Sequence, residues 1–371
     1  MLKRKRKGER QGDNIGIVLT GGHAGTSALA TLEELKRRHR WRLYWIGAKK
    51  SMEGRHGSTL EAKVFPKVGV GFYTVPAARY ARGLAVKSLL SYVKIPLGVI
   101  KSVYLLLKIR PALVLSFGGY VSIPVVIAAF ALRIPIVVHE QILTGGLANR
   151  ITARFARRIA ISRLPSKRFF DAKKVVYTGN PTIREITAIK PKTKISTPPH
   201  IFVTGGSRGS ETINRTVGAI LPKLRNFVVI HQTGELDYEK YKIKEGKRYR
   251  VHSLVDPREI HKIYQRADIV ISRAGANTVA EVIMTKRPSI LIPIPWSIFN
   301  EQMENAKMAR KSGVAVILAE KDLTPEELYR RILEVKKNWK FMVESVDTSA
   351  VDIDRRAAEN LAVVLEDVIN A

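Results

Sequence analysis

The sequence predicts an α/β protein made of two Rossmann-like, doubly wound domains, and three observations predict it. A length of 371 residues calls for two domains at roughly 100 to 200 residues each. Short, almost continuous apolar runs alternate with helical patterns, which is how parallel strands read when helices cover both faces of their sheet. The order strand, glycine turn, helix also begins twice, at Ile15 and again at His200. An apolar content of 45% lets both halves bury a core.

The elements follow in chain order. Met1-Leu2-Lys3-Arg4-Lys5-Arg6-Lys7 imitates the charged start of an export signal, but polar Gly8-Glu9-Arg10-Gln11 follows it. No signal is read, and residues 1–14 are expected to be a basic, disordered tail. A strand over 15–20 ends in Gly21-Gly22, and a helix over 27–38 follows. The same grammar recurs with strands at 42–47, 112–119, 135–141 and 174–179. Residues 187–199 turn to Lys, Thr, Ser and Pro with little to bury and read as a linker. Strands at 200–204, 227–232, 249–254, 268–272, 289–293 and 314–318 build the second half. A helical pattern over 350–371 can pack on either half, back on the N-terminal one included. The domains are therefore 15–186, with an acceptor and membrane-facing role set out below, and 200–349, with the terminal helix beyond.

Composition narrows the chemistry. Cysteine is absent, which excludes disulfides, thiol nucleophiles and Cys-ligated metal centres. Lys and Arg number 64 against 32 Asp and Glu, a net charge of +32, which favours polyanions: nucleic acid, anionic lipid or phosphorylated substrates. The most apolar long stretches are 84–109 and 121–138. In the first, Lys87, Lys94, Lys101 and Lys108 recur every seven residues and Pro96 lies inside. It therefore lacks the ~20 uninterrupted apolar residues of a membrane span and reads as one or two amphipathic helices. Either it is a core helix pair with a solvated lysine edge, or it is an interfacial patch on anionic lipid.

A glycine turn between strand and helix leaves backbone N–H groups and the positive end of a helix dipole facing one point, which suits phosphate. Gly205-Gly206-Ser207-Arg208-Gly209 adds a hydroxyl and a guanidinium. Neither this turn nor Gly21-Gly22 has the dinucleotide or P-loop spacing, and either can serve only tight helix–strand packing. After the strand at 268–272, Arg273-Ala274-Gly275-Ala276-Asn277 opens a helix that carries Glu281. A carboxylate there can accept from both hydroxyls of a ribose, or be a surface Glu. Asn300-Glu301-Gln302-Met303-Glu304-Asn305 can read sugar hydroxyls, or be a polar helix face. Two signals are set aside. His139-Glu140 lacks the second His of a zinc motif, since Leu143 stands there; Asp352-Ile353-Asp354 reads as a charge pair at a helix start.

These residues, in this order, resemble the MurG-type family of peptidoglycan N-acetylglucosaminyltransferases over nearly the whole chain. The matching segments are Gly21-Gly22-His23, Gly118-Gly119-Tyr120-Val121-Ser122, His139-Glu140-Gln141, Gly146-Leu147-Ala148-Asn149, Gly179-Asn180-Pro181, Gly205 to Ser210, His231-Gln232-Thr233-Gly234, and Arg273 to Glu281 with Gln302 and Asn305. The resemblance implies two domains facing across a cleft (GT-B type). The C-terminal half would hold UDP-N-acetylglucosamine, and the N-terminal half would hold lipid I at the cytoplasmic face of the cell membrane, as a peripheral protein on an anionic surface. Ser207 and Arg208 would meet the diphosphate, Arg273 the nucleotide, Val255 the uracil, Glu281 the ribose and Gln302 the sugar. Gly22, Tyr120, Asn149 and Arg184 would serve the acceptor side. His23 is the first candidate for the base, since imidazole titrates near neutrality, with Glu140 as second or as its orienting partner. Inverting displacement then needs neither cofactor nor metal.

The chain also departs from the family. One glycine pair precedes His23 where two are usual, Ile142 replaces an Asn, Glu301 replaces a Gln, and Arg184 falls one residue late. Rivals stay open: a GT-B transferase for another nucleotide sugar or lipid, a nucleotide-sugar epimerase, or a non-catalytic membrane adaptor. Nucleic acid is not expected, because basic–aromatic pieces such as Lys240-Tyr241-Lys242 are scattered over both halves. Other cell-wall synthesis proteins are open as partners.

Overall fold

The computed structural model describes residues 15–22, 24–50, 58–77 and 86–371, with 86–94 as backbone only. The basic tail and His23 lie outside the described residues. The chain divides into two compact units: residues up to 141 with 145–181 and 356–371, and residues 142–144 with 182–355.

The first unit is a seven-stranded sheet, every pair parallel, in the order β3-β2-β1-β4-β5-β6-β7. Its strands are β1 (Gly16–Thr20), β2 (Arg42–Gly47), β3 (Gly71–Thr74), β4 (Leu113–Ser116), β5 (Ile136–Glu140), β6 (Arg158–Ile161) and β7 (Val175–Tyr177). The central β1, β4 and β5 are buried at every residue, and the edge strands β3 and β7 are half-buried throughout. That difference explains why β1, β4 and β5 stand out as solid apolar runs. β3 and β6 were not among the expected strands. β3 is a half-buried edge, and β6 opens on exposed Arg158, which leaves Ile159-Ala160-Ile161 as its apolar run.

The segment expected as one or two helices is one helix, Val86–Ile109, with Pro96 inside it. It packs on the apolar helix Ser122–Ala131 through Leu105 and Leu106. The C-terminal helix Ala357–Asn370 lies in this unit, against helix Gly25–Arg38. It buries Leu361, Ala362 and Leu365 completely, each larger side chain contributing about 1.5–3 kcal/mol. Its Glu366 accepts from Arg38 Nε and Nη2 at 2.8 and 2.9 Å and lies 2.7 Å from His39 Nε2.

The second unit repeats the plan with one strand fewer: a six-stranded parallel sheet in the order β10-β9-β8-β11-β12-β13. Here β8 is His200–Thr204, β9 Val228–Gln232, β10 Tyr249–His252, β11 Ile269–Ser272, β12 Ser289–Leu291 and β13 Ala315–Ile317. The segment read as a linker with little to bury is pinned to this unit by polar bonds. The fully buried Asp268 accepts from Lys192 Nζ (2.5 Å), Ser196 N (3.1 Å) and His200 N (2.7 Å). These bonds to a buried carboxylate act beside two apolar anchors, buried Ile189 and half-buried Ile195, the latter packed on the core of this unit.

Candidate active site

Each sheet has one place where the strand order reverses, between β1 and β4 in the first unit and between β8 and β11 in the second. Loops leaving the carboxyl ends of those neighbours diverge, and the crevice between them is where doubly wound sheets bind ligands. The glycine turns of the sequence sit at these two points.

In the first unit, Gly21-Gly22 leaves β1 and Gly118-Gly119 follows β4. The Gly22 amide donates to the Gly118 carbonyl at 2.9 Å. Gly119 has φ +79°, and a Cβ on it would lie 2.9 Å from Gly22 N, so no side chain fits there. Helix Gly25–Arg38, just beyond, has no side-chain cap.

Glu140, at the end of β5, is only 2% exposed. Its Oε2 accepts from Gly146 N (2.7 Å) and Asn149 Nδ2 (3.0 Å), so Glu140 organises the turn that leads into helix Leu147–Thr152. Asn149 Oδ1 is buried with no partner among the described residues, and it sits directly over Gly118. An unmet acceptor of this kind costs about 1–3 kcal/mol unless a ligand or water answers it. Behind Glu140, His139 donates from Nε2 to Gly179 O at 3.2 Å, and burial pushes its pKa down to about 4. It is a neutral core imidazole. Tyr120 packs half-buried on the core of this unit, whereas Arg184 is exposed and groups with the second unit.

In the second unit, Gly205 to Gly209 link β8 to helix Glu211–Ile220. Gly209 has φ +75°, and a Cβ there would lie 1.9 Å from the Thr233 carbonyl oxygen, so only glycine lets this turn close on Thr233-Gly234. Gln232, from β9, ties the turn together. Its Nε2 donates to Gly206 O (2.8 Å) and Thr204 Oγ1 (3.0 Å), and its Oε1 accepts from Val255 N (2.9 Å). The Val255 amide is thus in use, and its carbonyl is what that peptide can offer. Ser207 and Arg208 stand exposed at the tip.

Arg273, after β11, is 8% exposed. Its guanidinium donates to Ser210 Oγ (2.9 Å), to the Ile292 carbonyl (3.2 Å) and to Glu320. Ser210 caps helix Glu211–Ile220 by accepting from Ile213 N. Arg273 is therefore a strut between the glycine turn, β12 and Glu320. The next helix, Ala276–Met284, begins at Gly275 with no side-chain cap and carries Glu281, 9% exposed, whose Oε2 accepts from the Tyr264 hydroxyl at 2.8 Å. Burial raises the Glu281 pKa to about 7. Gln302 Oε1 accepts from Ile294 N at 3.1 Å, and Asn305 Nδ2 donates to Ala274 O at 3.2 Å. Both hold the loops around the switch point.

The second unit therefore brings Ser207, Arg208, Val255, Arg273, Glu281 and Gln302 to one end of one sheet. Gln232, Tyr264 and Glu320 act with them and were not singled out. Gln232 lies in a motif already noticed, but Tyr264 and Glu320 carry no sequence signal, since a helical Tyr and a loop Glu are ordinary. Among the described residues no group of three or more His, Asp or Glu is placed to hold a metal ion.

Comparison with known proteins bears on both units. Residues 17–161 match the glycosyltransferase family 28 N-terminal domain and residues 200–361 the glycosyltransferase family 28 C-terminal domain. A protein of Listeria welshimeri is 33% identical over 323 residues, covering 83% of this chain and 86% of its own. One from Acetivibrio thermocellus is 30% identical over 368 residues, covering 95% and 98%. Both are named UDP-N-acetylglucosamine--N-acetylmuramyl-(pentapeptide) pyrophosphoryl-undecaprenol N-acetylglucosamine transferase. Among solved structures, Acinetobacter baumannii MurG superposes with a TM-score of 0.66 at 22% identity, over 95% of this chain and 99% of that one, a likeness of fold.

Proposed function

The chain belongs to glycosyltransferase family 28, and from that premise we propose that it moves N-acetylglucosamine from UDP-N-acetylglucosamine to the muramyl 4-hydroxyl of lipid I, with inversion. One observation carries the donor half of this reading. At the β8/β11 switch point, a glycine turn closed by Gln232, an uncapped helix N-terminus and a buried carboxylate without a cation converge. Those are the partners a nucleoside diphosphate needs.

The roles follow. Glycine-turn amides, Ser207, Arg208 and the first turn of helix Ala276–Met284 receive the diphosphate. Glu281 receives the ribose hydroxyls, the Val255 carbonyl faces the uracil, and Gln302 reads the sugar. We assign Arg273 to holding the turn in place, since its guanidinium already bonds Ser210, the Ile292 carbonyl and Glu320. In the first unit, His23 takes the proton of the attacking hydroxyl. As the new C1–O bond forms, the bond from C1 to the diphosphate oxygen breaks and UDP leaves, its growing charge met by N–H groups. Glu140 holds Asn149 and the 145–149 turn as part of the acceptor site, with Gly22 and Tyr120 near it; Arg184, grouped with the other unit, is retained as an acceptor contact.

The membrane-facing surface is assigned to helix Val86–Ile109. Leu97, Ile100, Tyr104 and Leu107 form one exposed stripe at helical spacing, with Lys101 and Lys108 exposed beside it. No helix among the described residues is long and apolar enough to cross a membrane. The stripe therefore suits peripheral binding to anionic lipid at the cytoplasmic face. Replacing Ile100 and Leu107 by Glu should release the protein from phosphatidylglycerol vesicles in co-sedimentation, with its thermal melting unchanged.

The decisive assay gives purified protein labelled UDP-N-acetylglucosamine and lipid I, with UDP-N-acetylgalactosamine and a non-muramyl polyprenyl diphosphate as controls. Transfer confined to the first pair is expected. Equal transfer to the control lipid, or none to lipid I, would overturn the assignment.

A further inference from the structure

Glu281 is a buried carboxylate whose one hydrogen-bond partner among the described residues is neutral. It is 9% exposed and takes part in no ion pair. Tyr264, from helix Ile260–Arg266, is 1% exposed and gives its hydroxyl to Oε2 at 2.8 Å. Tyr264 is itself held twice. Its carbonyl accepts from Arg287 Nε at 2.8 Å, and its ring meets Phe202 of β8 edge-on with centroids 5.8 Å apart. Arg287 is fully buried and gives its other nitrogens to Thr285 O and Lys190 O, so its hydrogen bonds go to backbone carbonyls and not to the Glu281 carboxylate.

The other titratable groups on elements packed against helix Ala276–Met284 are Glu301, Glu304, Lys307, Arg310 and Lys311 of helix Glu301–Lys311 and Arg184 and Glu185 of Arg184–Thr187. On the tyrosine's own helix, His261, Lys262 and Arg266 are the remaining titratable residues. None of these bonds to the Glu281 carboxylate, and burial with the Tyr264 bond accounts for its ionisation.

We propose that Tyr264 is a positioning residue for donor binding: it orients Glu281 and, as the carboxylate's one hydrogen-bond donor among the described residues, sets the pH at which the site accepts a nucleotide. This rests on the ribose role given to Glu281 above. A ribose diol has two protons to donate, and only the ionised carboxylate can accept both while keeping the tyrosine bond. The empty site therefore carries a carboxylic acid for part of its time near neutral pH. Donor binding must expel that proton: Glu281-COOH plus nucleotide gives Glu281-COO⁻ bonded to the diol plus a proton passed to buffer. Linkage then makes apparent affinity fall as pH drops below the carboxyl pKa of about 7, because protonation competes with binding.

The experiment is isothermal titration of the full-length protein with UDP-N-acetylglucosamine without acceptor, from pH 6 to 9, in pairs of buffers of different ionisation enthalpy. The diphosphate of that donor is esterified at both ends, so it adds no titration of its own in this range. Wild-type protein should release about half a proton at pH 7 and bind about tenfold more weakly at pH 6 than at pH 8. Glu281→Gln should bind weakly at every pH and release none from this site. Tyr264→Phe removes one stabilising bond to the charged form and should move the pH midpoint up by about one unit. Binding is then about fivefold weaker than wild type at pH 7 but within about twofold at pH 9.

A merely structural tyrosine would lose affinity equally at all pH values, and that result overturns the proposal, as does wild-type binding without proton release. Full-strength binding by Glu281→Gln would instead overturn the ribose assignment itself. Should Tyr264→Phe melt early, the same titration below its melting transition still reads the pH midpoint, and a midpoint unmoved from wild type overturns the proposal.

Discussion

Three basic residues sit in the left-handed region just past helix ends: Arg110 (φ 50°), Arg133 (φ 57°) and Lys286 (φ 52°). A cation beside the last carbonyls is favourable by about 0.3–1 kcal/mol, while that backbone costs a side-chain-bearing residue about 1–2 kcal/mol. The second effect is larger, so Arg110→Gly should stabilise the protein by roughly 0.5 kcal/mol in chemical denaturation, allowing for glycine's extra unfolded-state entropy. A loss of stability would mean that the dipole dominates. Buried histidines make the second residue-scale prediction. His139 and His231 have pKa values pushed down to about 4 and about 3 by burial, so between pH 6.5 and those values the unfolded chain binds protons that the fold does not. Stability falls with pH across that window, by roughly 4 kcal/mol for the two together from pH 7 to 5. Glu281, raised to about 7, works the other way by roughly 2 kcal/mol. Wild-type protein should lose a net ~2 kcal/mol and Glu281→Gln roughly twice that, measured by urea unfolding at both pH values.

Among elements, the central strands were legible because burial on both faces leaves a solid apolar run, as in Ile17-Val18-Leu19 and Val137-Val138. The edge β3 and the short β6 were not, because β3 is half-buried along its length and β6 starts on an exposed arginine, so neither leaves a long solid apolar run. How the linker is held was not legible for a different reason: Asp268 holds it by hydrogen bonds, and composition does not reveal where a carboxylate's donors lie. The terminal helix is legible as a helix from its apolar spacing, but its place against Gly25–Arg38 is a matter of packing. Leu365 is fully buried there, so Leu365→Ala should cost about 2–4 kcal/mol. The loss should appear as faster hydrogen exchange in the first unit with that of β8 to β13 unchanged, and uniform exchange across both units would contradict the division.

For the whole molecule, two sheets of matching strand order each carry a switch point, and only the second unit is assigned the donor. Saturating UDP-N-acetylglucosamine at about 100 times its Kd should therefore add about 2.7 kcal/mol of stability, seen as hydrogen-exchange protection over 200–320 and not over 15–116. The net charge of +32 makes attraction to anionic lipid and nucleotide a property of the chain as a whole. By itself the sequence determined the two-domain α/β plan and the positions of the glycine turns, because local periodicity and backbone geometry write those into neighbouring residues. Only the tertiary structure decided that Arg273 is spent as a strut, that Gln232 locks the turn, and that Tyr264 reaches Glu281. Each of those bonds joins residues from 17 to 63 positions apart, a separation over which no local pattern carries information and packing alone selects the partner.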